Sequence, residues 1–267
     1  MSLKAAIDLW GGKKMNFGYA NDLVIFGVDS RRNDNLRVLP VKHLSVLLVK
    51  RNKEPDKDKW SLPGGFIDLN ETSKDASVRV LKKETGLSNV YMQQIGVNDL
   101  VSRDSRGRII STTYMALVDR TLIKNELNEN ASWFDLEIKE DKNIISINLH
   151  NEEEHISFKV KRIVVDKKSS EYEYELVDKG LSFDHDVILV KSLMELRNKV
   201  NNTDIVFNLM PKLFTVGELK QVYELLLGKS LVNSAFRRWI NDRIEFSGEY
   251  ISTGGHRPSE LCKYKEK

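Results

Sequence analysis

Apolar and β-branched residues gather in two runs near the start of the chain, Asn21–Asp29 and His43–Arg51. Both read as strands, and the polar stretch Ser30-Arg31-Arg32-Asn33-Asp34-Asn35 between them reads as a turn. A second break at Asn52–Lys59 leads into Trp60-Ser61-Leu62-Pro63-Gly64-Gly65, a rigid, turn-rich corner. Asn70 or Thr72 can cap a helix running to about Thr85, where Gly86 stops it. Val90–Val97 and Ile109–Val118 read as two further strands flanking the polar stretch Arg103–Arg108.

The pattern then changes. Ile145, Ile147 and Leu149 alternate with polar residues, as do Ile156, Phe158 and Val160, and then Tyr172, Tyr174 and Leu176. Three short alternating runs predict an antiparallel meander over 138–180 with one exposed face. Val187–Val200 reads as a helix with Ile188, Leu193, Leu196 and Val200 on its apolar side, and Asn201–Asp204 reads as a linker. Beyond it, Thr215-Val216-Gly217-Glu218 is a capping-box sequence, followed by Leu219, Val222, Tyr223 and Leu226 at helical spacing and by Gly228 as a stop. Asn233 or Ser234 can start a second helix, with Val232, Phe236, Trp239 and Ile240 inward and Arg237, Arg238 and Asn241 outward. Ile244–Phe246, Tyr250–Thr253 and Leu261–Tyr264, with the turn Gly254-Gly255-His256-Arg257-Pro258, read as a small β-wing. Two helices and a basic-tipped hairpin make a winged helix-turn-helix, whose second helix enters the DNA major groove while its wing touches the backbone or minor groove. A winged helix that binds protein has the same pattern.

At 267 residues, with 40% hydrophobic and 30% charged positions, the chain is large enough for two domains and too apolar for disorder. No apolar run approaches a membrane span, and Met1–Ala6 has no stretch of signal-peptide length, so a cytoplasmic location is expected. Cys262 is the only cysteine, which excludes an internal disulfide. Residues 205–267 hold ten basic against seven acidic side chains, so the whole net charge of +3 falls in the last quarter. That placement fits a nucleic-acid role there, and equally a solvated lysine tail.

Gly65 to Glu71, followed by Arg79-Val80-Leu81-Lys82-Lys83-Glu84-Thr85-Gly86-Leu87, resembles the Nudix box, G-x5-E-x7-R-E-U-x-E-E-x-G-U with U a bulky aliphatic. Gly65, Glu71, Arg79, Leu81, Glu84, Gly86 and Leu87 fit. In that family the positions of Val80, Lys83 and Glu84 are magnesium-binding glutamates, and the spacing i, i+3, i+4 puts them on one helix face. Here their formal charge sums to zero instead of −3, and an ammonium competes with the metal. Arg79 and Glu71, which resemble the family's structural ion pair, are both present. The resemblance therefore implies a Nudix fold with little or no hydrolysis. No catalytic residue is expected beyond the residual Glu71 and Glu84, no metal site beyond Glu84, and magnesium is needed only if some hydrolysis persists.

The degenerate box, the loop Arg103-Asp104-Ser105-Arg106-Gly107-Arg108, the helix start Phe183-Asp184-His185, and the segments Phe214–Glu224, Phe236–Arg238 and Gly254–Pro258 together resemble the Nudix-related transcriptional regulators. Their NrtR branch represses NAD-biosynthesis genes. The resemblance implies an α/β (α+β) Nudix fold over 1–203, with the meander at 138–180 as an insertion, and a winged helix-turn-helix over 204–267. It also implies an effector such as ADP-ribose or a sugar, and a homodimer on a palindromic double-stranded DNA operator. Arg51, Lys83, Arg103, Arg106, Arg108, Asp184 and His185 are the expected effector contacts, since arginines hold diphosphate through bidentate bonds. Lys229, Asn233, Arg237, Arg238 and Arg257 are the expected DNA contacts. The alternatives are a nucleoside-diphosphate-sugar or ADP-ribose pyrophosphatase with an accessory domain, and a scaffold that binds neither ligand nor DNA.

Overall fold

The computed structural model describes residues 6–7, 15–31, 40–123, 127–169, 171–251 and 258–266. The first part of the chain builds β1 (Ala6–Ile7), β2 (Met15–Arg31), β3 (Val41–Lys50), β4 (Trp60–Ser61), β5 (Gly64–Phe66), helix α1 (Ser73–Thr85), β6 (Tyr91–Asn98) and β7 (Arg108–Asp119). Then follow β8 (Ala131–Asp141), β9 (Ile144–His150), β10 (His155–Asp166), β11 (Glu171–Asp178) and helix α2 (His185–Asn202). The last part holds β12 (Phe214–Thr215), α3 (Val216–Leu227), α4 (Asn233–Ile240), β13 (Ile244–Ile251) and β14 (Ser259–Tyr264).

The main sheet runs in the order β11-β10-β9-β8-β3-β2-β7-β6, with β2 and β7 parallel and its other neighbouring pairs antiparallel. Alternation along β2 splits the core. Leu23 and Ile25 face α1 with Leu47, Val80 and Leu81, whereas Val24 and Phe26 face α2 and α3 with Val46, Leu48, Leu193 and Leu219. Helix α1 is set by its ends: Thr72 closes a capping box with Asp75, and Gly86 takes φ 75° and returns its N–H to the Lys82 carbonyl.

The meander is a direct extension of the sheet. It begins at Ala131 instead of position 138, because β8 pairs with β3 from Val49↔Ala131 to Ser45↔Asp135. Its inner strands bury Ile145, Ile147, Leu149, Phe158 and Val160. The third alternating run lies on the edge strand β11, where Tyr172 and Leu176 stay about 40% exposed.

Half of the predicted linker is helix. Asn201 and Asn202 donate from their side-chain amides to the Arg197 and Asn198 carbonyls, so α2 continues to Asn202. A short 3-10 turn, Ile205–Leu209, follows and buries Ile205, Val206 and Leu209. One apolar cluster runs from Val24 and Phe26 through Val200 and Val206 to Phe214, Leu219, Phe236 and Cys262, so the winged helix shares a core with the sheet. Burying each such side chain stabilises by ~1.5–3 kcal/mol. Within the winged helix, Phe236 and Ile240 are buried as expected, but Val232 is 70% exposed and Trp239 40%. Val232 precedes the helix, and Trp239 sits at its margin, edge-on to Tyr223 at 5.1 Å.

Candidate functional site

A cleft of about 340 Å³ opens where β2, the β3 end, the Trp60–Phe66 corner, the Arg103 loop and the start of α2 meet. Sequence places these pieces locally. Gly64 lets the corner run against β2, where a Cβ would collide with the Asn21 carbonyl. Phe183 takes φ 55° and turns the chain into α2. Arg51, Lys83, Arg103, Arg106 and His185 line the cleft; Arg108 and Asp184 do not.

The three loop arginines do not converge. Arg103 is buried and donates to Asp22 Oδ2 at 2.8 Å and to both Asp184 oxygens at 2.8 and 2.9 Å. Burial would lower the basicity of its guanidinium, but Asp184 and Asp22 more than offset that and raise it. Arg106 pairs with Asp104, and its guanidinium lies over both Phe66 and Phe183, 5.3 and 5.5 Å from the ring centres. Arg108 donates to the Asp99 carbonyl, and Asp184 is the N-cap residue of α2. Arg51 stacks on Phe183 at 4.5 Å from the ring centre. Burial first, and then the nearby Arg106 charge, push the Arg51 guanidinium down from its usual value. Two cations are thus held near one aromatic ring, an arrangement that favours an anion between them.

Behind the cleft is a polar cluster in which Arg103, Asp184 and His185, all singled out from the sequence, meet Asp22 and Ser111, which were not. Asp22 accepts from Arg103 and from Ser111 Oγ at 2.5 Å, and faces His185 Nε2 at 3.3 Å. His185 Nδ1 accepts the Leu62 N–H at 2.9 Å, so the ring proton of the neutral imidazole belongs on Nε2, toward Asp22. Burial pushes the Asp22 carboxyl up, but His185, Arg103 and Ser111 outweigh it and hold it at about 2. Asp22, Asp184 and His185 have ligand-type atoms within 4.8 Å of one another, the one such group among the described residues, yet the Arg103 guanidinium already supplies the cation there. Only the polar start of the strand run Asn21–Asp29 hinted at Asp22. The aromatic contribution of Phe66 and Phe183 carried no signal beyond the motif itself.

The Nudix-box helix does not fit magnesium. Val80 is 4% exposed and packs in the apolar cluster with Leu23, Ile25 and Leu47, so this position points into the core. Lys83 instead reaches back from solvent and donates to Glu84 Oε1 at 2.6 Å. Glu84 is buried at the cleft, and its Oε2 has no hydrogen-bond partner among the described residues. One carboxylate with an ammonium on it is not the multi-oxygen set a hard cation needs. Glu71 and Arg79 form a bidentate pair beside this helix, and Arg79, then the Asp68 backbone, hold the Glu71 carboxyl down at about 2.

On the opposite side, α4 buries Phe236 and Ile240 and turns Asn233, Arg237 and Arg238 outward. Among the described residues neither guanidinium has a polar partner, and Lys229 stands exposed in the preceding turn. Arg257 lies outside the described residues. The wing strands β13 and β14 pair from Ile244↔Tyr264 to Ile251↔Ser259. No described helix is long and apolar enough to cross a membrane.

Comparison with known proteins matches residues 33–147 to the NUDIX domain model and residues 206–264 to the NrtR DNA-binding winged helix domain model. The first match includes β8 and half of β9, so the start of the meander falls inside the Nudix domain. The "ADPR responsive transcriptional repressor NtrR" of Acinetobacter baylyi is 27% identical over 248 residues, 91% of this chain and 80% of that protein. The "ADP-ribose pyrophosphatase" of Methanocaldococcus jannaschii is 36% identical over 96 residues, 36% of this chain and 57% of that enzyme. The crystal structure of Shewanella oneidensis NrtR complexed with a 27mer DNA has the same fold, with TM-score 0.65 and 24% identity over 92% of this chain and 93% of that one. A NUDIX domain match followed by an NrtR-type winged helix match gives this chain the same domain order as the Nudix-related, NrtR-like transcriptional regulators that it resembles.

Proposed function

We propose that this chain is a DNA-binding transcriptional regulator whose cleft takes an ADP-ribose-like nucleotide sugar and thereby changes its hold on an operator. The observation that carries this reading is the state of the Nudix-box helix. Val80 is in the core and Lys83 is paired with Glu84, while Arg51 and Arg106 remain over Phe183 at the cleft. Such a site keeps cations for a diphosphate and has lost the carboxylates for hydrolysing it. Lys83 acts as a compact point charge where the metal would offset the diphosphate, so binding is independent of magnesium. Asn233, Arg237, Arg238, Lys229 and Arg257 contact the operator. A palindromic operator takes two copies, and a homodimer is part of this reading.

The test is direct. A labelled DNA fragment from upstream of the chain's own gene is titrated with the full chain, and then ADP-ribose is added. Salt-sensitive binding that ADP-ribose weakens or strengthens supports the reading. Failure to bind that fragment, or binding indifferent to ADP-ribose, contradicts it. The orphan Glu84 Oε2 favours one alternative, a magnesium-dependent pyrophosphatase. Brisk release of AMP from ADP-ribose in the presence of magnesium would put that enzyme in its place.

A further inference from the structure

The winged helix is fixed to the sheet by a buried lysine. Lys42 sits at the start of β3 and is 6% exposed. Its Nζ donates to Ser30 Oγ at 2.7 Å and to Glu218 Oε1 at 2.9 Å, and its backbone N–H donates to Gln221 Oε1 at 3.0 Å. Glu218 has a second task. Its Oε2 accepts from the Thr215 N–H and hydroxyl at 2.9 and 3.0 Å, closing the capping box of α3. One carboxylate therefore both starts α3 and ties it to β3. A lysine this buried is tolerated only when paired, so the contact is specific and not a chance surface bridge.

Strand β3 connects this contact to the cleft. It runs without a break from Val41 to Lys50, and the next residue, Arg51, stacks on Phe183. Lys42 and Lys50 lie roughly 27 Å apart at ~3.4 Å per residue. Leu44, Val46, Leu47 and Leu48 between them are buried, on both faces of the sheet. A strand packed on both sides passes a displacement along instead of absorbing it, because a close-packed interior has little room to deform.

We propose that Lys42 is the positioning residue that couples the cleft to the DNA-reading helix. The Lys42–Glu218 pair sets the angle of α3, and so of α4, relative to β3, and a shift of β3 at Arg51 reaches α3 through it. This rests on the effector-controlled DNA binding proposed above. A purely structural pair differs in its signature: removing it would change DNA affinity equally with and without effector.

The experiment compares the full-length wild type with Lys42→Met, Glu218→Gln and the double variant. Met keeps the apolar stem, and Gln keeps the capping box, since either Glu or Gln serves at that position. The milder Gln221→Ala is made alongside as a variant that folds even if Lys42→Met does not. For each, the dissociation constant for the upstream DNA fragment is measured without and with saturating ADP-ribose, and their ratio is the coupling factor. In wild type this factor is expected in the typical ~5–150-fold range. In Lys42→Met and Glu218→Gln it falls toward one, the double variant falls no further, and Gln221→Ala lies between. ADP-ribose affinity of the free protein is unchanged throughout. Folded variants that keep the wild-type factor overturn the proposal and leave the effector reading intact. A wild-type factor of one overturns the effector reading, and the coupling role with it.

Discussion

Replacing Arg103 with alanine separates two jobs that a cleft arginine can have. Arg103 is 8% exposed and touches two carboxylates, Asp22 at 2.8 Å and Asp184 at 2.8 Å. Truncation leaves both without their cation. Breaking a buried pair from one side costs ~3–5 kcal/mol, against a typical total stability of ~5–15 kcal/mol. The Asp22 carboxyl gives an independent scale: it is held at about 2 against an ordinary 3.8. At ~1.36 kcal/mol per pKa unit, that shift corresponds to about 2 kcal/mol, the net of burial against His185, then Arg103 and Ser111. The sign fixes the pH window. A lowered carboxyl contributes its stability above pH 3.8 and loses it as the pH falls through about 2. In Arg103→Ala the Asp22 carboxyl loses one of the partners that hold it down and rises from about 2, so the loss is largest at neutral pH and shrinks at acid pH as the carboxyl protonates. Urea unfolding at both pH values, with Arg51→Ala as the comparison, reads this out. Arg51→Ala is expected to lower ADP-ribose affinity while stability stays within ~1 kcal/mol, as its partners are backbone carbonyls and a ring face. Wild-type stability in Arg103→Ala at both pH values, together with lost ADP-ribose affinity, would refute the reasoning and make Arg103 a ligand contact.

Val80→Glu places a carboxylate in the Leu23–Ile25–Leu47 cluster; a buried carboxyl rises by up to ~3–5 units, about 4–7 kcal/mol at neutral pH, so the thermal midpoint falls steeply, and further than in Lys83→Glu, which leaves the buried Glu84 unpaired at a cost of ~1–3 kcal/mol. Restoring the acidic box therefore fails on stability first, and equal melting of both variants would contradict the placement of Val80. Arg237→Ala or Arg238→Ala weakens binding to the upstream DNA by ~1–3 kcal/mol where a base contact is lost, or lowers the salt slope by about one where a phosphate contact is lost. Two single variants that match wild type in a salt titration would remove α4 as the reader. ADP-ribose binds equally in EDTA and in magnesium, and Lys83→Ala weakens it in both, as calorimetry checks; a strict magnesium requirement would contradict the role given to Lys83.

Local signals in this sequence carried far. The capping boxes at Thr72 and Thr215, the stops at Gly86 and Gly228, and the alternation of the meander all lie where side-chain chemistry within a few residues decides the backbone. What was not legible is set by distance along the chain. Arg103 and its partners Asp22 and Asp184 are each 81 residues apart, so a basic loop that reads as a ligand grip has its first arginine committed to the fold. Position 80 has the spacing of a metal ligand, but burial depends on β2 and β3 packing over it, which no helix pattern reports. The Asn201–Asp204 stretch reads as a linker by composition. Side-chain bonds back to the preceding turn made its first half helix, and the shared core then fixed the winged helix against the sheet.

The central claim is that cleft and recognition helix report to each other, and calorimetry of ADP-ribose tests it most directly. ADP-ribose is titrated into the free full-length chain and into the chain saturated with its upstream DNA. Linkage requires that DNA change ADP-ribose affinity by the same factor by which ADP-ribose changes DNA affinity, typically ~5–150-fold. Equal ADP-ribose affinities in the two titrations would contradict the account.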